Sequence, residues 1–150
     1  MNVITKENYA KEIKKYQPKP KLFKNCLKAF IVGGLICVVG QALSVMYIEL
    51  FGFTEKSAGN PTVTTLILIS ALLTGFGVYD RLGQFAGAGS AVPVTGFANS
   101  ITSAALEHKS EGIVLGVATN MFKLAGSVIV FGTISAYLVG MIRYLVQQFL

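Results

Sequence analysis

Residues 75–108 read GFGVYDRLGQFAGAGSAVPVTGFANSITSAALEH. After the Asp80-Arg81 pair the chain runs from Leu82 to Leu106, 25 positions, without a charged residue. That is long enough for a membrane span, which needs about 20 apolar residues. It is not composed like one. Gly83, Gly87, Gly89, Pro93 and Gly96 crowd its middle, and Gly and Pro are the residues that interrupt helices. Apolar segments flank it on both sides, so it predicts backbone broken at membrane depth. Lipid tolerates irregular backbone only where protein buries it or where it lines a water-filled cavity.

Working outward, the composition supports a membrane setting. Of 150 residues, 53% are hydrophobic and 13% charged, about half the charge density of an ordinary soluble domain. The net charge of +6 is confined to one end. Residues 1–28 hold eight Lys and two Glu, whereas residues 29–150 are neutral overall. The chain therefore divides into a basic cytoplasmic or interfacial tail, 1–28, and a single multi-pass membrane domain, 29–150. Within the tail, Ile4, Tyr9, Ile13 and Tyr16 can line one side of a short helix that ends at Pro18 and Pro20. Such a helix is either solvated or rests on anionic lipid heads. Its Lys residues place the N-terminus on the cytoplasmic side. A nucleic-acid partner is not expected, because the rest of the chain is too apolar to present the tail in solution.

Ala29–Ile48 is free of charge for 20 residues and covers about 30 Å as helix, one hydrocarbon core. This predicts the first span, at about 29–50. Gly33, Cys37, Gly40 and Ser44 put small residues at one-turn spacing, where a neighbouring helix can come close. Cys26 and Cys37 are three turns apart on one helix and cannot bond to each other there. A turn rich in Gly, Asn and Pro leads to a second span at about 62–79. The broken or re-entrant segment at about 82–106 follows, with Thr95 placed to cap a new half-helix from Gly96 or Phe97. The positive end of such a helix would lie inside the membrane region, the arrangement by which several transporters hold anionic groups.

Glu107-His108-Lys109-Ser110-Glu111 is a polar loop whose spacing does not suit a metal site. Leu124–Ile142 is a third charge-free run, 19 residues long, and predicts a span at about 124–142. Counted from Ile113, it is either one long tilted helix or a short interfacial helix plus a span. Lys123 interrupts it, and either snorkels to the interface or pairs or faces water at depth. Gly132, Ala136 and Gly140 form a second small-residue seam. The fold class is thus all-α integral membrane, with three to four spanning helices and one broken or re-entrant segment.

Catalytic chemistry is not expected. No phosphate-binding loop, HExxH pair or nucleophile elbow occurs. The seven acids stand at interfaces, so the Ser and Thr residues of the spans lack an activating partner. No cofactor and no metal are implied.

The run from Gly77 to Ser100, GVYDRLGQFAGAGSAVPVTGFANS, resembles the signature of the small integral-membrane SpoVA proteins of endospore formers. The FAGAG and VPVTGFANS portions carry the likeness. It extends over the whole chain through the Lys-rich tail and the closing apolar segment. The resemblance implies a channel subunit in the forespore and spore inner membrane, moving dipicolinic acid with calcium inward in sporulation and outward in germination, with gating by membrane tension. It implies SpoVAD, SpoVAEb and other SpoVA proteins as partners in a homo- or hetero-oligomer.

Dipicolinate is a flat dianion, and exposed backbone N–H groups suit it better than a ring of carboxylates. The candidate pore or solute residues are therefore Gly87, Gly89, Ser90, Pro93, Thr95 and Asn99. Asp80, Arg81 and Lys123 are candidates at the entrance or gate, and the two small-residue seams are candidate sliding surfaces. A secondary transporter subunit, or a scaffold of the SpoVA complex without its own pore, fits the same residues.

Overall fold

The structure, a computed structural model, describes residues 21–149 together with Ile13. The tail helix expected from Ile4, Tyr9 and Tyr16 lies outside the described residues. The described chain is helical throughout: α1 (Leu22–Phe51), α2 (Gly59–Gly75), α3 (Tyr79–Ala86), α4 (Ala88–Ala91), α5 (Val94–Glu107), a 3-10 turn (Lys109–Glu111), a π turn (Ile113–Ala118) and α6 (Thr119–Phe149).

Two of these units are long and apolar enough to cross a membrane, Leu22–Phe51 and Ile113–Gln148. The π turn therefore joins α6 in one long helix, which resolves the alternatives left open for this region. The third unit is a bent pair, α2 and α3, whose axes meet at 101°. Within it the helix expected at 62–79 runs from Gly59 to Gly75. Its stop is built locally: Gly77 adopts φ 70°, its N–H donates to the Thr74 carbonyl, and the Val78 N–H donates to the Leu73 carbonyl, each at 2.9 Å. This pattern closes a helix on a left-handed glycine and redirects the chain.

The turn that leads into α2 is equally local. Thr54 and Ser57 bond reciprocally, each N–H to the other's hydroxyl at 3.0 and 3.3 Å, as in a capping box. Thr62, Thr64 and Thr65 then return their hydroxyls to the carbonyls of Ala58, Asn60 and Pro61, which satisfies side chains that lipid cannot.

α1 and α2 are antiparallel. Tyr47 bonds Thr65 at 2.7 Å, and the Leu66 side chain lies over Gly40. Phe51 and Phe53 pack on Tyr47 with ring centroids 5.5 and 5.9 Å away. Tyr47→Phe should therefore cost about 1 kcal/mol, read as a small fall in melting temperature in detergent.

The core is inverted relative to a soluble protein. Ser70, Ser90, Thr62, Thr74 and Thr95 are buried, alongside Val32, Ala58, Tyr79, Ala86 and Ala98. Leu35, Val39, Leu72, Phe131 and Tyr137 are exposed. Helices in lipid gain nothing by hiding Leu from a solvent of similar polarity, so small and hydroxyl residues take the interfaces and large aliphatics face outward. Exposure on this scale would be untenable in water.

Candidate functional site

The site is built by the path of the chain between α2 and α5. Ser70 Oγ donates to the Thr95 carbonyl at 2.6 Å, and one turn further along both helices Thr74 Oγ1 lies 2.7 Å from the side-chain oxygen of Asn99. Both pairs are separated by 25 residues. A constant offset means that α2 and α5 run in the same direction through this turn. A chain that leaves α2 and restarts beside it in the same sense must first double back, and residues 76–93 do this. α3 departs at the 101° bend, α4 returns, and α5 begins at the level of Ser70, about 7 Å inside the end of α2. The segment expected to be broken or re-entrant therefore doubles back between α2 and α5.

Glycine makes the return path possible. α4 lies directly on α1: a Cβ at Gly89 would sit 2.7 Å from Ala29 Cα, and Gly33 faces the Gly89 backbone. The first turn of α5 tucks against the end of α4, where a Cβ at Gly96 would lie 2.6 Å from the Ala91 carbonyl carbon. Gly87 joins α3 to α4 at φ 55°, ψ −124°, which side-chain-bearing residues adopt only under strain. No atom would obstruct a Cβ there, so the cost of Gly87→Ala is conformational. It should be about 1–2 kcal/mol, seen as a lower melting temperature without loss of membrane insertion.

Pro93 starts α5 with φ −61°, ψ 163° and no side-chain cap. The expectation that Thr95 caps this helix is corrected. The helix begins one residue before Thr95, and the Thr95 hydroxyl is committed elsewhere. Pro93 supplies a preset φ and no N–H of its own, which suits a helix start. Thr95 Oγ1 instead lies 2.9 Å from the Tyr79 hydroxyl, which also donates to the Ser90 carbonyl at 2.9 Å. Tyr79 is buried, at 3% exposure. Ser90 Oγ donates to the Gly87 carbonyl at 3.2 Å, and Thr74 Oγ1 also donates to the Ser70 carbonyl at 2.7 Å. One connected set of hydroxyls, carbonyls and a carboxamide thus ties α2, α3, α4 and α5 together. Among the described residues no buried side-chain nitrogen or oxygen lacks a partner.

The six expected pore or solute residues do come together here, in different roles. Ser90, Thr95 and Asn99 belong to the hydrogen-bonded set; Gly87 is the joint, Gly89 the contact with α1, and Pro93 the apex. Asp80 and Arg81 are exposed on α3, and Lys123 is exposed on the second turn of α6. Of the two seams, the first is used in part: Gly33 meets Gly89 and Gly40 meets Leu66, while Cys37 is exposed. Within this chain, Gly132 and Gly140 have open space before them.

Sequence reasoning passed over Ser70, Thr74 and Tyr79. The available signal was the pair Ser70 and Thr74, two hydroxyls one turn apart on an otherwise aliphatic helix. Between α1 and α2 the structure leaves an open cleft of about 310 Å³, walled by Val32, Leu35, Val39 and Leu66 and floored by Tyr79 and Thr95. A single copy encloses no continuous polar passage at this cleft, since its walls are aliphatic and one side is open.

The family model for SpoVAC/SpoVAEB sporulation membrane proteins matches residues 25–142. The chain is 72% identical over 143 residues, 95% of both chains, to stage V sporulation protein AC of Bacillus subtilis (strain 168). No solved structure matches.

Proposed function

The chain belongs to the SpoVAC/SpoVAEB family of sporulation membrane proteins, and from that premise we propose that it is a channel subunit for dipicolinic acid, moved with calcium across the spore inner membrane. Uptake belongs to sporulation and release to germination, and membrane tension opens the path. The chain acts as a pore component and not as an enzyme. Among the described residues the polar groups of the site are hydroxyls, a half-buried carboxamide and backbone carbonyls, without a carboxylate or imidazole bonded to them to activate a nucleophile.

The re-entrant turn carries this reading. It sets the N-terminal end of α5 beside Ser70, among apolar helices. The Gly96 N–H is held by the Pro93 carbonyl at 2.9 Å, and the positive end of the helix dipole attracts an anion. Dipicolinate presents two carboxylates to such a site. In the conformation described here Tyr79 is bonded across the turn, so passage requires that bond to open. Opening enlarges the cross-section between α1, α2 and α5, and tension favours the state of larger area.

The few spanning helices of one copy, which enclose no continuous polar passage at the cleft, favour a pore completed by further copies or by SpoVAD, SpoVAEb and other SpoVA proteins. The basic tail puts the N-terminus on the spore-core side. The competing readings are a scaffold whose pore is supplied by those partners and a subunit of an ion-coupled transporter.

Patch-clamp recording of the purified protein alone in liposomes, under stepped suction, separates these. The expected outcome is a conductance that rises with suction and carries dipicolinate. Silence in bilayers of verified protein content, with dipicolinate flux restored by adding SpoVA partners, would assign the chain to a scaffold. Flux that requires an ion gradient would assign it to a transporter.

A further inference from the structure

One face of α1 changes character along its length. Lys21, Lys24 and Lys28 follow one another at spacings of three and four residues, and Val32, Leu35 and Val39 continue the same line. At 100° per residue all six fall on one stripe. Its aliphatic half is a wall of the 310 Å³ cleft.

Lys28 stands one turn of α1 before Val32, the first residue of the cleft's wall, and lines the neighbouring cavity together with Phe85. The Lys28 ammonium stands 4.4 Å above the centre of the Phe85 ring. Arg81 is exposed one turn before Phe85 on α3, on the same side of that helix. Asp80 points about 100° away around that helix. From Lys28 to Val39 is 11 residues, about 16 Å of helix, close to the half-thickness of a hydrocarbon core. The cleft therefore lies below the cations at the depth that one leaflet's acyl chains occupy.

We propose that the cleft holds one acyl chain of an anionic phospholipid whose phosphate lies among Lys24, Lys28 and Arg81. The two halves of the stripe select this ligand together. A zwitterionic lipid would fill the cleft with less use for three cations, and a free phosphate would use the cations and leave the aliphatic wall uncovered. The assignment stands whether the chain forms a pore or a scaffold.

The test titrates dioleoylphosphatidylglycerol or dioleoylphosphatidylcholine into the full chain in nonionic detergent micelles and counts bound lipid by native mass spectrometry. One tightly held phosphatidylglycerol is expected, with clear preference over phosphatidylcholine. Each cation near a lipid surface is worth about fivefold in affinity. The double variant Lys28→Ala, Arg81→Ala should thus bind phosphatidylglycerol about 25-fold more weakly, with phosphatidylcholine binding unchanged as the sign of an intact cleft. Val39→Trp, which fills the cleft, should weaken both lipids, whereas Ile134→Trp on the exposed face of α6 should weaken neither. Equal affinity for the two lipids, no effect of Val39→Trp, or displacement of the lipid by an equal concentration of inorganic phosphate would each overturn the proposal.

Discussion

Gly89→Ala should lift α4 off α1 and leave the membrane helices inserted but the turn between α2 and α5 undocked. The new Cβ would sit 2.7 Å from Ala29 Cα and 2.8 Å from its carbonyl carbon. These are backbone atoms inside a helix, so no side-chain rotation relieves the contact. Overpacking by one methyl group in a tight core costs about 1–3 kcal/mol when neighbours can shift. Here one of the two backbones must shift, which places the variant at or above the upper end of that range.

Because α4 is tied through the Ser90 carbonyl to Tyr79, the displacement should reach the α2–α5 pairing. The expected measurement is a melting temperature in detergent lowered by about 9 °C or more, using roughly 3 °C per kcal/mol for a chain of this size. Rapid exchange of the backbone amides of residues 88–97 should accompany it. Gly34→Ala is the internal control, since no atom lies within 4 Å of a Cβ at that position. A Gly89→Ala protein as stable as that control would mean that α4 does not rest on α1.

Some of this site could be read from residue order and some could not, and the division follows the range of the interactions. Gly87, Gly89 and Pro93 mark the break because their effect is on their own backbone, which any reader of the chain can see. The end of α2 is also local, but subtler. The run 62–79 looks like one span because Phe76 and Val78 are as apolar as the helix before them. The stop depends on Gly77 adopting a left-handed conformation with two hydrogen bonds behind it.

Thr95 shows the opposite case. A threonine just after a proline and valine suits a helix cap, yet its hydroxyl is engaged by Tyr79, 16 residues away. Ser70 is harder still. Thr62, Thr64 and Thr65 on the same helix bond their own preceding turn, and nothing in the local pattern distinguishes them from Ser70, which reaches across to α5. Periodicity reports which face of a helix is apolar. It does not report which of several hydroxyls will find a carbonyl 25 residues away.

Tyr79→Phe should lower the suction needed to open the conductance, if the chain forms the pore. Removing this one oxygen leaves the ring in place and withdraws two bonds of 2.9 Å, to the Ser90 carbonyl and to Thr95 Oγ1. Both partners are buried. A buried polar group left unpaired costs about 1–3 kcal/mol, so losing two partners costs about 2–6 kcal/mol in the closed form. In an opened turn the same groups reach water and find new partners, so the open form loses less. The difference in cost between the two forms shifts the equilibrium toward opening, since a perturbation moves a two-state balance only by its unequal effect on the two states. A shift of even 1.4 kcal/mol is tenfold in the closed-to-open ratio.

Stepped suction on Tyr79→Phe liposomes should therefore show the half-maximal response at lower tension, with unitary conductance unchanged. Tyr47→Phe loses one bond of 2.7 Å, to Thr65 between α1 and α2, and should leave the tension response where it was. A merely loosened fold would move both variants alike. An unchanged response in Tyr79→Phe, with a normal response in Tyr47→Phe, would show that the hydroxyls around Tyr79 hold the fold together without holding the path shut.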